Sequence, residues 1–235
     1  MPYYAEPCPN TLAVTYSNGH AMNDRTIVTT DTSTKGGCTK GFTGTSAAAP
    51  IAAGMVALML EVRPCLSWRD VQSILVYSAV KVDVEEARWF LNGAGFHHSD
   101  QHGFGLMNAS RLTLASAHWP LLPPMLNYST RKQSVYVDIP DDGVPLTQRV
   151  YGKHLMKLLY PFSFFFVHTV SSSSLPLHLS TLEYVAVTLW LEHNCRGILN
   201  ISLQSPTLTW TTLASPRKHD QYVTITVIYD TIAIM

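Results

Sequence analysis

The residues best suited to chemistry lie in one short segment, Gly44-Thr45-Ser46-Ala47-Ala48-Ala49-Pro50. A serine between a glycine turn and the first turn of a helix holds its hydroxyl at the positive end of the helix dipole. Developing oxyanion charge is stabilised there, and the backbone N–H of Ser46 can point at it. An isolated Gly-x-Ser is more often a plain N-cap. The full seven-residue segment is far more specific, and it makes Ser46 a candidate nucleophile.

A helix over Ala47–Glu61 is predicted directly after the serine, because this run consists of strong helix formers. Pro50 is expected to be tolerated because it falls in the first turn, and Arg63-Pro64 ends the helix. The helix is apolar on every side, which predicts that it is buried on every side. A second helix is predicted after Ser67, which forms a variant of the capping box with Asp70.

The second half of the chain has a different pattern. Apolar and polar residues alternate over 185–191 and again over 199–203, and residues 194–197 lie between these runs as a turn. This period of two predicts an antiparallel hairpin with one buried face. The apolar stretch 155–170 has no clear periodicity, and we interpret it as a poorly ordered insert.

Composition excludes several classes of protein. Sixteen basic and sixteen acidic residues give a formal net charge of zero, so there is no basic surplus for binding nucleic acid. Apolar residues make up 46% of the chain, which excludes a chain that is disordered as a whole. The longest apolar stretch, Ala47–Leu60, has 14 residues, and this is too short to span a bilayer. No transmembrane segment is therefore predicted.

Two observations on cellular location conflict. The residues after Met1 include no basic region and no apolar core, so no signal peptide is visible. Four cysteines and three N-x-S sequons, at Asn108, Asn127 and Asn200, nevertheless fit a secreted protein. Either the chain is cytosolic with free thiols and chance sequons, or it is a piece of a longer secreted protein.

Several segments together carry a family resemblance. In the first half they are Cys38–Pro50 with Ala52–Gly54, Arg63–Gln72 and His102–Ala109, and in the second half Arg196–Leu199, Ser205–Pro206 and Arg217–Asp220. These segments resemble the kexin-like and furin-like proprotein convertases, a group of subtilisin-like serine proteases, and most closely their type 7 branch. The phenylalanine-rich middle of the chain does not share the resemblance.

The resemblance implies an α/β fold in three parts. Residues 1–120 would form the C-terminal portion of a subtilisin-like catalytic domain. Residues 121–182 would form a linker with the apolar insert. Residues 183–235 would form an incomplete antiparallel β-sandwich, the P domain that follows the catalytic domain in that family. In this last part Thr207-Leu208 replace a family glycine, and the family's further strands are missing after Asp220, so strand edges would be left unpaired.

The resemblance also implies a function. It is that of a calcium-dependent serine endopeptidase that processes precursor proteins after basic residues, with Ser46 as the nucleophile. The parent protein would act in the secretory pathway, in the Golgi, the trans-Golgi or at the cell surface, and its partners would be those precursors and its own propeptide.

The order of the catalytic residues limits what this chain could do alone. In subtilisin-like enzymes the order is Asp, His, Ser, and Ser46 leaves little room upstream. His20 is the only histidine before Ser46, and it lacks the family's histidine motif. We therefore expect the chain to be the C-terminal part of a protease that is inactive by itself.

Three other residues are assigned through the resemblance. Glu6 matches a position that supplies a calcium-ligating carboxylate, although calcium needs six to eight oxygens and one glutamate cannot hold it. Cysteines that match Cys8 and Cys38 pair in the family with partners nearer the N-terminus, which we expect this chain to lack, so both would be left as orphan thiols. The alternative is a direct Cys8–Cys38 bridge.

The histidine-rich run His97–His102 and the sequons complete the candidate sites. A metal site is one interpretation of the run, but a glycine-flanked polar turn fits it better, because no second ligand cluster is visible. Asn108 is expected to be packed and unmodified, whereas Asn127 and Asn200 are the better glycosylation acceptors.

Two alternative functions stay open at this point. The chain could be a non-catalytic secreted fragment that binds the substrate or propeptide of the full enzyme. It could also be an α/β-hydrolase with Ser46 on a nucleophile elbow and His102 as the base. The elbow requires Gly-x-Ser-x-Gly, and Ala48 stands where its last glycine belongs, so this second alternative is disfavoured.

Overall fold

The computed structural model describes residues 4–5, 7–17, 26–33, 35–85, 87–125, 183, 185–192, 196–204, 209–217, 220 and 224–231. Several features singled out in the sequence lie outside these residues: Glu6, His20, Asn127, Ser205–Pro206, Thr207-Leu208 and the apolar stretch 155–170.

The chain divides into two compact units. One comprises Met1–Phe90 and Phe96–Pro123, and the other comprises Leu91–Gly95 and Pro124–Met235. The elements up to residue 123 are β1 (Ile27–Thr30), β2 (Cys38–Phe42), α1 (Thr45–Val62), α2 (Trp68–Ser78), β3 (Phe90–Leu91), β4 (His97–His98) and α3 (Ala109–His118). Beyond it lie β5 (Val185–Glu192), a 3-10 helix (Arg196–Ile198), β6 (Ile201–Gln204), β7 (Trp210–Ala214) and β8 (Thr224–Thr231).

The core of the first unit lies among its three helices. Six buried side chains form one cluster: Met59, Leu66, Ile74, Leu75, Met107 and Leu112. The short helix α3 packs against both α1 and α2. A closely packed apolar cluster of this kind is the main source of stability in such a unit.

The predicted capping of α2 is confirmed. Ser67 is the N-cap, its hydroxyl accepts the backbone N–H of Asp70 at 3.2 Å, and the Asp70 carboxylate accepts the backbone N–H of Ser67 at 2.8 Å. The two residues therefore satisfy each other's unpaired donors at the start of the helix. Asn108 caps α3 in a simpler way, by accepting the backbone N–H of Arg111 at 3.0 Å. The expectation that Asn108 is packed is wrong, because the residue is exposed.

Helix α1 differs from its prediction in two respects. It begins at Thr45 and ends at Val62, two residues before and one residue after the predicted bounds. It is also not buried on every side, because only Ala47 and Met59 are buried, while Leu58 is 50% exposed. An apolar composition predicts that a helix is buried by packing, but the described residues pack against α1 on one side only.

The length of α1 also bears on membranes. Among the described residues, α1 is the one helix long and apolar enough to cross a bilayer by length and composition, since it has 18 residues rather than the 14 counted in the sequence. A single helix of this kind is weak evidence, because the core helices of many globular domains meet the same test.

The first unit also contains extended segments. Strands β1 and β2 form an antiparallel pair in which Ile27 lies opposite Phe42 and Thr30 opposite Cys38. Leu106 forms isolated bridges with Val14 on one side and Val80 on the other. This bridging fixes the segment 11–17 against the chain that leads into α3.

The described residues of the second unit form two antiparallel pairs. Strand β5 pairs with β8 along its whole length, from Val185 opposite Thr231 to Glu192 opposite Thr224. Strand β6 pairs with β7. The predicted hairpin between 185–191 and 199–203 is therefore wrong, although both segments are strands. Alternation identifies a strand and its buried face, but it does not identify the neighbour with which the strand pairs.

Two of the segments that carry the family resemblance meet in this unit. The carbonyl of Gly197 accepts the backbone N–H of Arg217 at 2.6 Å. A Cβ atom on Gly197 would collide with the carbonyl oxygens of Arg217 and Asp220, so only glycine fits there. The Arg217 guanidinium and the Asp220 carboxylate form an ion pair at 3.2 Å.

Candidate active site

Ser46 is the second residue of α1 and is exposed. The prediction that it lies at the N-terminus of this helix is confirmed. Among the described residues, no acceptor is found for the backbone N–H groups of Thr45 and Ser46, as expected for the first residues of a helix. These two N–H groups and the serine hydroxyl lie together at the positive end of the helix dipole. The arrangement could stabilise negative charge that develops on a substrate oxygen.

The turn before Ser46 requires glycine. Gly44 is the N-cap of α1 with φ 83° and ψ −176°, a conformation that is essentially restricted to glycine. Its carbonyl accepts the backbone N–H groups of Ala47 at 3.0 Å and Ala48 at 3.4 Å. No side chain caps the helix. The abrupt entry leaves the first turn open to the solvent at Ser46.

Pro50 weakens the same turn from within the helix. The prediction that Pro50 falls in the first turn is wrong, because α1 begins at Thr45 and Pro50 is its sixth residue. Proline has no N–H, so the helical hydrogen bond that would end on the carbonyl of Ser46 is missing. The turn that carries Ser46 therefore has fewer internal hydrogen bonds than an ordinary helix start.

Two hydroxyl groups outside the helix contact this turn. Thr15 donates its hydroxyl to the carbonyl of Ala48 at 2.7 Å, and Ser17 donates its hydroxyl to the carbonyl of Gly44 at 2.8 Å. Neither residue was predicted from the sequence. They lie 33 and 27 positions from their acceptors, so no local pattern could have identified them.

His102 has other partners than Ser46. Its Nε2 lies 2.9 Å from a carboxylate oxygen of Asp83, and its ring stacks on that of Trp89 with centroids 5.9 Å apart. Its Nδ1 is buried without a hydrogen-bond partner among the described residues. No hydrogen bond joins His102 to Ser46 within the described part of the chain, so the α/β-hydrolase alternative gains no support. The Asp83–His102 pair was also missed from the sequence.

The histidine-rich run does not form a metal site in the described residues. No group of three or more His, Cys, Asp or Glu side chains converges there. His98 is buried, and this burial lowers its pKa even though the Asp100 carboxylate and the Thr11 carbonyl act to raise it. Burial raises the pKa of Asp100, while neighbouring His98 partly offsets that effect. These residues are part of a packed turn.

The same absence bears on calcium, which requires six to eight oxygen ligands. The described residues offer no convergent carboxylate set for it. The candidate ligand Glu6 lies outside the described residues.

The three cysteines in the described part of the chain are exposed. Cys8, Cys38 and Cys65 form no disulfide with one another, so the alternative of a Cys8–Cys38 bridge is wrong. The expectation that Cys8 and Cys38 have lost the partners with which they pair in the family stays a prediction.

Comparison with known proteins gives a family match in the first half of the chain. Residues 7–105 match the subtilase family, Peptidase S8. The chain is 44% identical to the proprotein convertase subtilisin/kexin type 7 of Mus musculus over 223 residues, which cover 94% of this chain and 26% of the relative. It is 34% identical to furin of Homo sapiens over 220 residues, which cover 94% of this chain and 25% of that relative. The resemblance to the kexin-like and furin-like convertases is confirmed.

A solved structure supports the fold. The serine protease of Aeromonas sobria superposes with a TM-score of 0.64 at 24% identity, over 83% of this chain and 37% of that one. The subtilisin-like fold is thereby shown. The chain spans about a quarter of the length of the curated relatives it matches.

Proposed function

We propose that this chain is part of a serine endopeptidase of the kexin-like and furin-like convertase type, with Ser46 as its nucleophile. One observation carries the proposal: Ser46 lies in the first turn of α1, exposed, beside two backbone N–H groups for which the described residues provide no acceptor. In such an enzyme the serine oxygen attacks the carbonyl carbon of the scissile peptide, and the N–H groups stabilise the resulting oxyanion.

The attack also requires a base that takes the proton of the Ser46 hydroxyl, and an acid that orients this base. No base is hydrogen-bonded to Ser46 among the described residues. We propose that residues outside this chain supply the histidine and the aspartate, and that the chain alone does not hydrolyse peptides. An unassisted serine hydroxyl is a poor nucleophile at neutral pH.

The finer features of the function rest on the relatives. We propose cleavage after basic residues of secretory precursor proteins, dependence on calcium, a propeptide partner, and residence of the parent protein in the secretory pathway. Similarity to the type 7 convertase and to furin supports these points. The antiparallel pairs β5–β8 and β6–β7 support a P-domain remnant over residues 183–235.

A graft tests the proposed function directly. Residues 7–125 of this chain would replace the aligned segment of the mouse type 7 convertase, and turnover of a fluorogenic multibasic peptide would be measured with calcium. We expect turnover that disappears in the Ser46→Ala graft. A graft whose activity survives Ser46→Ala would overturn the assignment of the nucleophile.

The chain by itself requires a separate assay. Residues 1–235 and their Ser46→Ala variant would be compared with the same peptide, and we expect no difference between them. Turnover well above the Ser46→Ala control would show that the chain contains its own base.

A second candidate is the non-catalytic fragment that binds substrate or propeptide. The exposed apolar residues Leu58, Leu60 and Val62 of α1 favour a binding role. Co-purification of the chain with the propeptide of its relative, lost when Leu58 is changed to lysine, would support this candidate.

A further inference from the structure

The turn that carries Ser46 is held poorly by its own helix. Gly44 provides no side-chain cap, and Pro50 removes the hydrogen bond that would end on the carbonyl of Ser46. A nucleophile must be held within a fraction of an ångström of its productive position, because small displacements lower the rate steeply. Some other part of the molecule must therefore fix this turn.

The hydroxyls of Thr15 and Ser17 reach the turn on either side of the serine. The acceptor of Ser17 is the carbonyl of Gly44, two residues before Ser46, and the acceptor of Thr15 is the carbonyl of Ala48, two residues after it. Each carbonyl oxygen has two lone pairs, so the hydroxyls can bond to it in addition to the backbone N–H groups. The two hydrogen bonds therefore end on either side of Ser46 along the chain, and neither involves Ser46 itself.

The segment that presents these hydroxyls is itself firmly placed. The backbone N–H of Val14 donates to the carbonyl of Gly105 at 2.9 Å, and the carbonyl of Val14 accepts the N–H of Met107 at 2.9 Å. The carbonyl of Leu12 accepts the N–H of Phe104 at 2.9 Å. Both Thr15 and Ser17 are half-buried, which limits competition from water.

We propose that Thr15 and Ser17 are positioning residues, whose hydroxyls hold the first turn of α1 and so fix Ser46 for attack. The role in catalysis rests on the proposed function, whereas the mechanical role does not. Neither residue contacts the reacting atoms, so each acts through the backbone of the turn.

The mechanical role is tested on the chain of 235 residues by hydrogen exchange with mass spectrometry. Thr15→Val removes the hydroxyl at nearly constant volume, and Ser17→Ala removes the second one. We expect exchange in peptides covering residues 43–50 to rise about fivefold to tenfold in each variant, while peptides from α2 and α3 stay unchanged. Thr15→Ser, which keeps a hydroxyl, should restore most of the protection.

A matched control separates this effect from the loss of any threonine hydroxyl. Thr113 donates its hydroxyl to the carbonyl of Ala109 at 3.0 Å, within α3 itself. Thr113→Val should leave exchange in residues 43–50 unchanged. Unchanged exchange at 43–50 in both Thr15→Val and Ser17→Ala would overturn the proposal. So would an equal rise in all three helices, because it would show a general loss of stability.

The catalytic consequence is tested in the graft with the mouse type 7 convertase. There Thr15→Val and Ser17→Ala should each lower kcat on the order of tenfold with little change in KM, because substrate contacts are retained. Thr15→Ser should recover most of kcat. An unchanged kcat would overturn the catalytic part of this inference. A parent graft that is inactive would instead count against the proposed function, and the exchange measurements would still decide the mechanical role.

Discussion

Trp119 donates its indole N–H to the buried carboxylate of Asp70 at 3.1 Å, which ties the end of α3 to the start of α2. The same carboxylate accepts the backbone N–H of Leu122 at 2.9 Å, and it also accepts the N–H and the hydroxyl of Ser67. Each of these four hydrogen-bond partners is a donor to the Asp70 carboxylate. The side chain therefore links the N-cap of α2 to the chain that follows α3.

Asp70→Asn should destabilise the first unit more than its small change in shape suggests. The amide NH2 group of asparagine would face two donors and could accept from neither of them, which costs roughly 1–3 kcal/mol for buried groups left without partners. Chemical denaturation followed by tryptophan fluorescence measures the loss. Asp100→Asn provides a comparison at a carboxylate whose pKa is raised and which is not held by four donors. Equal losses in both variants would contradict the role of Asp70.

The pH dependence of this loss follows from the pKa of Asp70. Burial alone would raise that pKa, but the hydrogen bonds from Ser67, Leu122 and Trp119 outweigh burial and lower it from its ordinary value of 3.8. A depressed pKa means that the stabilisation is present above pH 3.8 and is lost as the pH falls through the lower value of the folded protein. The difference in unfolding free energy between the native chain and Asp70→Asn should therefore shrink between pH 5 and about pH 2. A constant difference over that range would show that the carboxylate charge is not involved.

His98 should have the opposite effect on stability. Burial lowers its pKa from an ordinary value of 6.5, so the unfolded chain binds the proton more readily than the folded chain does. This histidine therefore makes the native chain less stable as the pH falls below 6.5. The ring of Phe104 packs against His98 with centroids 4.9 Å apart, so His98→Phe keeps an aromatic contact. The variant should lose less stability between pH 7.5 and pH 5.5, whereas the exposed His118→Gln should behave like the native chain. If the unfolding free energies of the native chain, His98→Phe and His118→Gln changed in parallel with pH, a buried neutral His98 would be contradicted.

Gly105 should tolerate no side chain. Its φ is 133°, and a Cβ atom would lie 2.5 Å from the carbonyl oxygen of Val80. Gly105→Ala would push Val80 away from Leu106, to which it is bridged, at a cost of roughly 3 kcal/mol from strain and overpacking. Gly36→Ala is the matched control, since nothing lies within 4 Å of the added atom. The midpoint of thermal unfolding should be clearly lower in Gly105→Ala than in Gly36→Ala. Similar midpoints would show that the loop around Gly105 accommodates the added atom by a small shift.

The elements that the sequence predicted well are those encoded by neighbouring residues. The start of α2 depends on Ser67 and Asp70, which are three positions apart, and the start of α1 depends on the glycine and serine of one short segment. Pairing in the second unit was not predictable, because β5 finds its partner in β8 more than thirty residues later. The contacts of Thr15 and Ser17 with the turn at Ser46 are equally remote. Local chemistry therefore identified the candidate nucleophile, whereas the groups that hold it appear only in three dimensions.

The exposed apolar residues of α1 provide the last prediction. Leu58 is 50% exposed, Leu60 38% and Val62 46%, and Glu61 is the only charged residue of the helix. Exposed apolar residues with a single charge among them promote association, because little electrostatic repulsion opposes contact between copies. The purified chain should therefore bind a hydrophobic dye and elute from size-exclusion chromatography above its monomer mass.

Charges placed at Leu58 and Leu60 should reduce dye binding and association without unfolding the protein. The double variant Leu58→Glu, Leu60→Lys should lower dye binding and shift elution towards 26.1 kDa, with little change in thermal stability. The buried neighbour Met59 provides the control, since Met59→Ala opens a cavity and should cost about 2–5 kcal/mol while leaving the exposed leucines unchanged. Because Met59 lies between the two exposed leucines in the chain, the pair of experiments separates a buried position of α1 from the exposed positions beside it. If the double variant lost as much stability as Met59→Ala, the leucines would have to be packed rather than exposed.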